Sequence, residues 1–217
     1  MLTPLSLRVV AVLRMLCAQL YKLPLDERVE LLNALRTVLH AHSPFADDPV
    51  DCVLWVKAES VVANDYNPNT VAPPEMRLLE HSITQDGYTQ PIVSYVEDET
   101  YVVVDGFHRH RVGAQHPAVR RRLHGYVPIT IINQDRTDRG DRIAATIRHN
   151  RARGKHQVAA MSEIVQELAR RRWSDEKIAR ELGMDADEVL RLKQITGLAE
   201  LFADREFSDA WEGTRQE

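Results

Sequence analysis

The chain has 217 residues, 44% of them hydrophobic and 28% charged, the balance of an ordinary globular protein with room for one mid-sized domain and a smaller one. A formal net charge of −4 excludes a protein-wide field for polyanions, and two cysteines far apart in apolar contexts, Cys17 and Cys52, argue for buried free thiols in a reducing compartment rather than a disulfide or metal site. The apolar stretch at residues 5–23 is interrupted by Arg8, Arg14, Gln19 and Lys22, so neither a membrane span nor a signal peptide is expected, and the expected location is the cytoplasm.

Thr3-Pro4 places a capping hydroxyl before a proline suited to the first helical turn. Leu5, Val9, Val12, Leu13, Leu16 and Leu20 then recur at helical spacing, and after Leu23-Pro24 so do Leu25, Val29, Leu32, Leu35, Val38 and Leu39. Two amphipathic helices around a short turn make an α-hairpin over residues 1–46. Its apolar face must be covered by the domain behind it or by a dimer partner, and packing on the domain is the expectation. Ser43-Pro44 ends the hairpin, and Asp47-Asp48-Pro49 reads as a linker.

Residues 53–57 read as a strand, and Asn64-Asp65-Tyr66-Asn67-Pro68-Asn69 is turn chemistry. A helix opens at Pro73-Pro74, carries Met76, Leu78, Leu79 and Ile83, and stops at Gly87. Gln90-Pro91 leads into a strand at residues 92–96, a turn at Glu97-Asp98-Glu99 and a returning strand at residues 101–104. A helix rich in His and Arg follows, then another strand at residues 127–132. Few, short strands mixed with helices predict an α+β domain with a small mixed sheet.

From Asp138 the pattern turns helical, with Ile143, Ala144 and Ile147 leading to Asn150-Arg151-Ala152-Arg153 and a stop at Gly154. A further helix at about residues 157–172 has Met161, Ile164, Val165 and Leu168 inward. A short helix from Ser174 through Ile178 to Leu182-Gly183 precedes Asp185-Ala186-Asp187-Glu188, a capping box that opens the last helix through Val189, Leu192 and Ile195. Helix, glycine turn, helix is the helix-turn-helix pattern, and it would aim Arg191, Lys193 and Gln194 at a DNA groove. Asp185, Asp187 and Glu188 oppose phosphate at the start of that helix, so a protein contact is the alternative.

The most informative stretch is Val102-Val103-Val104-Asp105-Gly106-Phe107-His108-Arg109-His110-Arg111-Val112-Gly113. A strand that stops at glycine and opens a helix presents backbone N–H groups to an anion, and the His/Arg cluster adds charged donors there. The surroundings are basic: between Arg109 and His156 the acids are Asp135, Asp138 and Asp141 alone. Asp105 could bind Mg²⁺, a ribose hydroxyl or its own turn, with the turn role ranked first. His108 could donate to a phosphate or act as an acid or base near neutral pH, so Asp105 and His108 are the catalytic candidates. His108 and His110 point in different directions on a helix, which argues against zinc. The run Arg120-Arg121-Arg122 reads as an exposed basic face, open to nucleic acid.

Taken in order, Gly87-x-x-Gln90-Pro91, the Gly106-x-x-Arg109 turn, Asn150-Arg151-Ala152-Arg153 and the helix-turn-helix resemble the ParB/sulfiredoxin superfamily. Asn67-Pro68 is similar to the asparagine-proline box that opens such domains. Asp105-Gly106-Phe107-His108-Arg109 resembles the IbrB-like branch, described as transcriptional co-activators often encoded beside a relative of phosphoadenosine-phosphosulfate reductases. The same turn is similar to the D-G-Q-H-R motif of DNA-phosphorothioation and phage-defence proteins. Sulfiredoxins carry a catalytic cysteine where Phe107 stands, so sulfinic acid reduction is not expected. The metal-supporting glutamate of ParB corresponds to His149, which leaves Mg²⁺ and hydrolysis open.

The resemblance implies a nucleotide, CTP or ATP, with or without Mg²⁺. Its phosphates would be held by Gly87, Gln90, Asp105, Gly106, His108, Arg109, Arg111, Asn150, Arg151 and Arg153. The expected organisation is the hairpin at residues 1–46, a ParB-like nucleotide-binding domain at 50–155 and a helix-turn-helix domain at 156–217. The expected function is a DNA-associated regulator, a transcriptional co-activator or partition-type switch, with DNA, a homodimer mate and a reductase-like protein as candidate partners. The alternatives are a nucleotide hydrolase or phosphotransferase using the same pocket, or an adaptor in a DNA-modification or phage-defence system.

Overall fold

The computed structural model describes residues 3–65, 73–132, 138–151 and 158–202, with side chains described for all of these but 150–151, 158–160 and 196–202. The hairpin is α1 (Pro4–Cys17) and α2 (Leu25–His40). Thr3 caps α1, its Oγ1 accepting from the Ser6 N–H at 3.2 Å. Then come β1 (Leu54–Lys57), β2 (Val61–Val62), α3 (Pro73–Asp86), β3 (Ile92–Glu97), β4 (Thr100–Asp105), α4 (Phe107–Gln115), α5 (Pro117–Arg122) and β5 (Tyr126–Ile131). Four helices follow: α6 (Arg139–Arg151), α7 (Val158–Arg170), α8 (Asp175–Leu182) and α9 (Ala186–Phe202).

The five strands form one sheet in the order β1-β5-β3-β4-β2. β1 with β5 and β3 with β4 are antiparallel; β3 with β5 and β2 with β4 are parallel. The fold is therefore α+β with a small mixed sheet, as the sequence predicts. The hairpin between β3 and β4 turns on Asp98 and Glu99, both at positive φ (44° and 63°), the twist a two-residue loop requires. The two-residue strand β2 escapes a sequence reading because Val61-Val62 is too short to show alternation.

Contacts divide the chain into two compact units, one holding α1 to α5 with the sheet, the other α6 to α9 with Asn64 and Asp65. In the first, Ile92, Val103, Val127 and Ile129 form the sheet core, and Ile83, Val112 and Val119 join α3, α4 and α5. In the second, Ile143 and Ile147 of α6 share one core with Val165, Leu168, Ile178, Leu182 and Val189. The apolar spacing predicts inward stripes, and Ile83, Ile143, Ile147, Val165, Leu168, Ile178, Leu182 and Val189 are found inward, whereas Leu78 and Ile195 are exposed.

α2 covers the sheet edge at β1. Trp55, opposite Pro128 of β5, gives its N–H to Asn33 Oδ1 at 3.0 Å and takes the Asn33 side-chain N–H on its carbonyl at 2.7 Å. A side-chain amide thus satisfies edge-strand groups that would otherwise be a template for another strand. Asp26 adds an ion pair with Lys57 at 2.7 Å and accepts from the Tyr126 hydroxyl at 2.7 Å. The hairpin is expected to pack its apolar face on the domain behind it; α2 meets the sheet edge through Asn33 and Asp26, but neither α1 nor α2 has a buried residue. Cys17 and Cys52 are free thiols, each half-buried rather than buried.

Candidate functional site

β4 buries Val102, Val103 and Val104 and delivers Asp105, itself buried, to the end of the sheet. Gly106 follows at φ +93°, a left-handed conformation that side chains with Cβ resist, and α4 starts at once with no side-chain cap. The guanidinium of Arg109 folds back over this turn. A Cβ on Gly106 would lie 2.9 Å from Arg109 Nη2, so a side chain there would displace the guanidinium in addition to straining the backbone.

Arg109 donates through Nη1 to Gln90 Oε1 at 3.1 Å, and through Nη2 to the Pro91 carbonyl at 3.3 Å and to Asp105 Oδ2 at 3.2 Å. Gln90, Asp105, Gly106 and Arg109, picked from the sequence on separate grounds, are therefore one cluster. In it Arg109 braces the turn, and Asp105 has its charge balanced by Arg109. Gly87, at φ +80°, ends α3 with its N–H on the Ile83 carbonyl at 3.1 Å and positions the chain that delivers Gln90.

His108 stands differently. Its ring lies edge-on to Phe107 with centroids 5.3 Å apart, and both ring nitrogens are buried with no hydrogen-bond partner. Burial first, and then the Arg111 charge, push the imidazole pKa below its usual 6.5, so the ring is neutral at pH 7 with one donor and one acceptor to offer. Buried polar atoms without partners are uncommon, and here both stand on one ring in the first turn of α4. Arg111 is exposed one helical turn on, its Nε reaching Gln115 Oε1 at 3.2 Å. His110 bonds the Ala58 carbonyl through Nε2 at 2.9 Å and is part of the packing.

Two residues that sequence reasoning missed set α4 on the sheet. The Tyr88 hydroxyl donates to the Arg109 carbonyl, and burial pushes its pKa up to about 12. Gly113 lies under Tyr88, where a Cβ would come within 2.6 Å of Val127 Cγ1 as well as against the Tyr88 hydroxyl. The sequence signal was present: a glycine inside a helix is disfavoured and calls for a packing reason.

The run Arg120-Arg121-Arg122 is exposed, as the sequence suggests, but two of its members are engaged. Arg122 caps the end of α3, donating to Ile83 and Thr84 carbonyls at 2.7 and 2.8 Å, and Arg120 bonds the Ala114 carbonyl at 2.9 Å and Glu59 at 2.5 Å. Asn150 and Arg151 are the last residues of α6, in the second unit, and their side chains are outside the described residues, as are Arg153 and the Asn67-Pro68 box. Among the described residues no three His, Cys, Asp or Glu gather to hold a metal ion. Asp105, tied to Arg109, makes a poor Mg²⁺ site by itself.

In the second unit, Ser174 caps α8 by accepting from the Lys177 N–H at 3.2 Å, and Gly183 ends it at φ +66°. Asp185 Oδ1 accepts from the Glu188 N–H at 2.6 Å and opens α9. Of the residues aimed at DNA by the sequence reading, Arg191 and Gln194 are exposed, and Lys193 is held in an ion pair with Asp175.

Residues 156–204 match the family described as the IbrB-like C-terminal HTH domain. The Escherichia coli (strain K12) protein YbdM, itself described as uncharacterized, is 56% identical over 193 residues, covering 88% of this chain and 91% of its own length. The chain belongs to the YbdM family. Its α8 and α9 are the helix pair of an IbrB-like helix-turn-helix domain, in agreement with the resemblance carried by the motifs. The chain is also similar to the C-terminally truncated chromosome-partitioning protein ParB from Caulobacter crescentus. Against the structure complexed with CTP-gamma-S it is 20% identical, covers 69% of this chain and 83% of that one, and has a TM-score of 0.37. Against the structure complexed to the centromeric parS site the values are 19%, 68%, 75% and 0.46. A Pnob8-like ParB-N domain is 14% identical, with 70% and 73% covered and a TM-score of 0.47. Likenesses of this size say nothing about what a YbdM-family chain binds.

Proposed function

We propose that the chain is a DNA-associated regulator whose β4–α4 turn binds the phosphates of a nucleotide. The observation that carries this reading is His108: two buried ring nitrogens without partners, at the uncapped start of α4. The first backbone N–H groups of a helix and its dipole favour an anion there. His108 would donate one N–H to a phosphate oxygen and Arg111 would supply the free positive charge. Gln90, Asp105 and Arg109 would hold the turn in shape. In this reading CTP or ATP is the nucleotide.

The helix-turn-helix supports the DNA half of the proposal, with Arg191 and Gln194 as the side chains placed to meet a groove or phosphates. The acidic start of α9, Asp187 and Glu188, argues for contact through the exposed middle of that helix rather than its first turn. We read the site as one for binding. Turnover would require a base for an attacking water, and the Asp105 carboxylate is engaged by Arg109.

Calorimetric titration with CTP, ATP and GTP, with and without Mg²⁺, tests the nucleotide half. Binding of one of them that is lost in Arg111→Ala and in His108→Ala is expected, and no heat with any nucleotide removes the proposal. For the DNA half, anisotropy against rising salt should show affinity falling, with the slope reduced by about one in Arg191→Ala.

A further inference from the structure

The N-terminal hairpin carries more apolar surface than its own unit covers. Leu5, Val9, Val12 and Leu16 recur at helical spacing on one stripe of α1 and are 71%, 60%, 54% and 58% exposed. On α2, Val38 and Leu39 are 57% and 62% exposed. Between the helices runs a groove of about 610 Å³, lined by apolar side chains of both with Arg8 and Arg36 as its charged residues. The other side of α2 is already in use, by Asn33 on Trp55 and by Asp26 on Lys57 and Tyr126. The hairpin is thus anchored through α2 and open along the groove.

We propose that this groove is the interface of a homodimer, in which two hairpins close face to face into a four-helix bundle. A hairpin with one apolar face is half of such a bundle, and a two-fold axis makes the face its own complement. The size fits. Helices of 14 and 16 residues offer on one side roughly 700 Å² of accessible surface, close to the roughly 800 Å² per partner of a standard interface. Arg8 and Arg36 stand at the groove, while Asp26, Glu27 and Glu30 lie in the first turns of α2, outside its lining.

Residues Pro4–Lys22 have a mean hydropathy of 1.3 and are long and apolar enough to suit a bilayer by composition. A concave groove favours a protein over that flat surface, because it takes the ridge of another helix.

The test is light scattering on the full chain at micromolar concentration, where twice the 24.8 kDa of one chain is expected. Val12→Glu and Leu39→Lys should each halve the mass with the circular dichroism spectrum unchanged, since both side chains are exposed in one copy. A mass of one chain at every concentration overturns the proposal, and so does a dimer that survives both substitutions. In a Cys52→Ser chain, labelling of Cys17, which lines the groove, should accelerate on dilution; a rate independent of concentration overturns it too. Flotation of a monomeric chain with phosphatidylglycerol–phosphatidylcholine vesicles, lost in both charged variants, assigns the face to a membrane and ends the dimer proposal.

Discussion

In the β4–α4 turn the charged side chains fold inward onto backbone and onto each other, whereas in α8 and α9 they pair along the surface of a separate apolar core. Arg109 gathers Gln90, Pro91 and Asp105 around one glycine, and His108 is left buried and unsatisfied beside them. Lys193 pairs with Asp175, Lys177 stacks 3.6 Å over the Trp173 ring, and beneath them Ile178, Leu182 and Val189 are buried. The first arrangement leaves the buried His108 ring nitrogens without a partner. The second is satisfied within itself and presents a surface; what it contacts is set by the few side chains left over, such as Arg191 and Gln194.

This contrast can be broken at several strengths. Leu182→Ala should cost about 2–5 kcal/mol, because the side chain is fully buried in the helical core. Chemical denaturation measures the loss, and DNA binding should fall with it while nucleotide affinity holds. Gly113→Ala should cost about 1–3 kcal/mol by forcing a methyl group against Val127 and Tyr88. Here the pattern of binding should be reversed, with nucleotide affinity falling and DNA affinity kept; loss of both would sink the separation of the two regions.

Smaller effects sharpen the comparison. Asp185→Ala removes the cap of α9 and should lower stability by about 1 kcal/mol, with little change at the turn. His108 gives the weakest signal, and its direction is fixed by linkage. Its folded pKa lies below 6.5, so as pH falls the unfolded chain takes up a proton first. The stability due to the neutral ring is present above 6.5 and is lost as pH falls through the folded value. Melting curves between neutral pH and about pH 5 should show this slope, and His108→Gln should flatten it. Bound nucleotide should change the slope in the wild type alone.

Much of the site was readable because its parts are local. Asp105-Gly106 has to be a turn after three valines, and a left-handed glycine at a helix start follows from that. The capping roles of Thr3 and Asp185 were likewise legible, since a cap acts within three residues of itself. The partners of the arginines were not. Arg122 caps a helix that ended 36 positions earlier, at Asp86, and Arg120 reaches Glu59 across 61 positions. Nothing in their spacing shows this: the run is exposed, as the sequence suggests, and the fold decides which of its charges are engaged.

By itself the sequence determined the class of fold and most of the elements, β2 and α5 excepted. Apolar period and turn chemistry are properties of short windows, and they yielded the α-hairpin, the β3–β4 hairpin, the His/Arg turn and the helix-turn-helix. Tertiary structure alone decided which charges are spent and which are free. It joined Arg109 to Asp105 and Gln90 and stranded the His108 ring. It covered the edge of β1 with Asn33 of α2 and left the stripe of α1 bare. The reason is physical: whether a polar group is satisfied, or an apolar face covered, depends on neighbours distant in the chain, and only folding brings them within about 3 Å of each other.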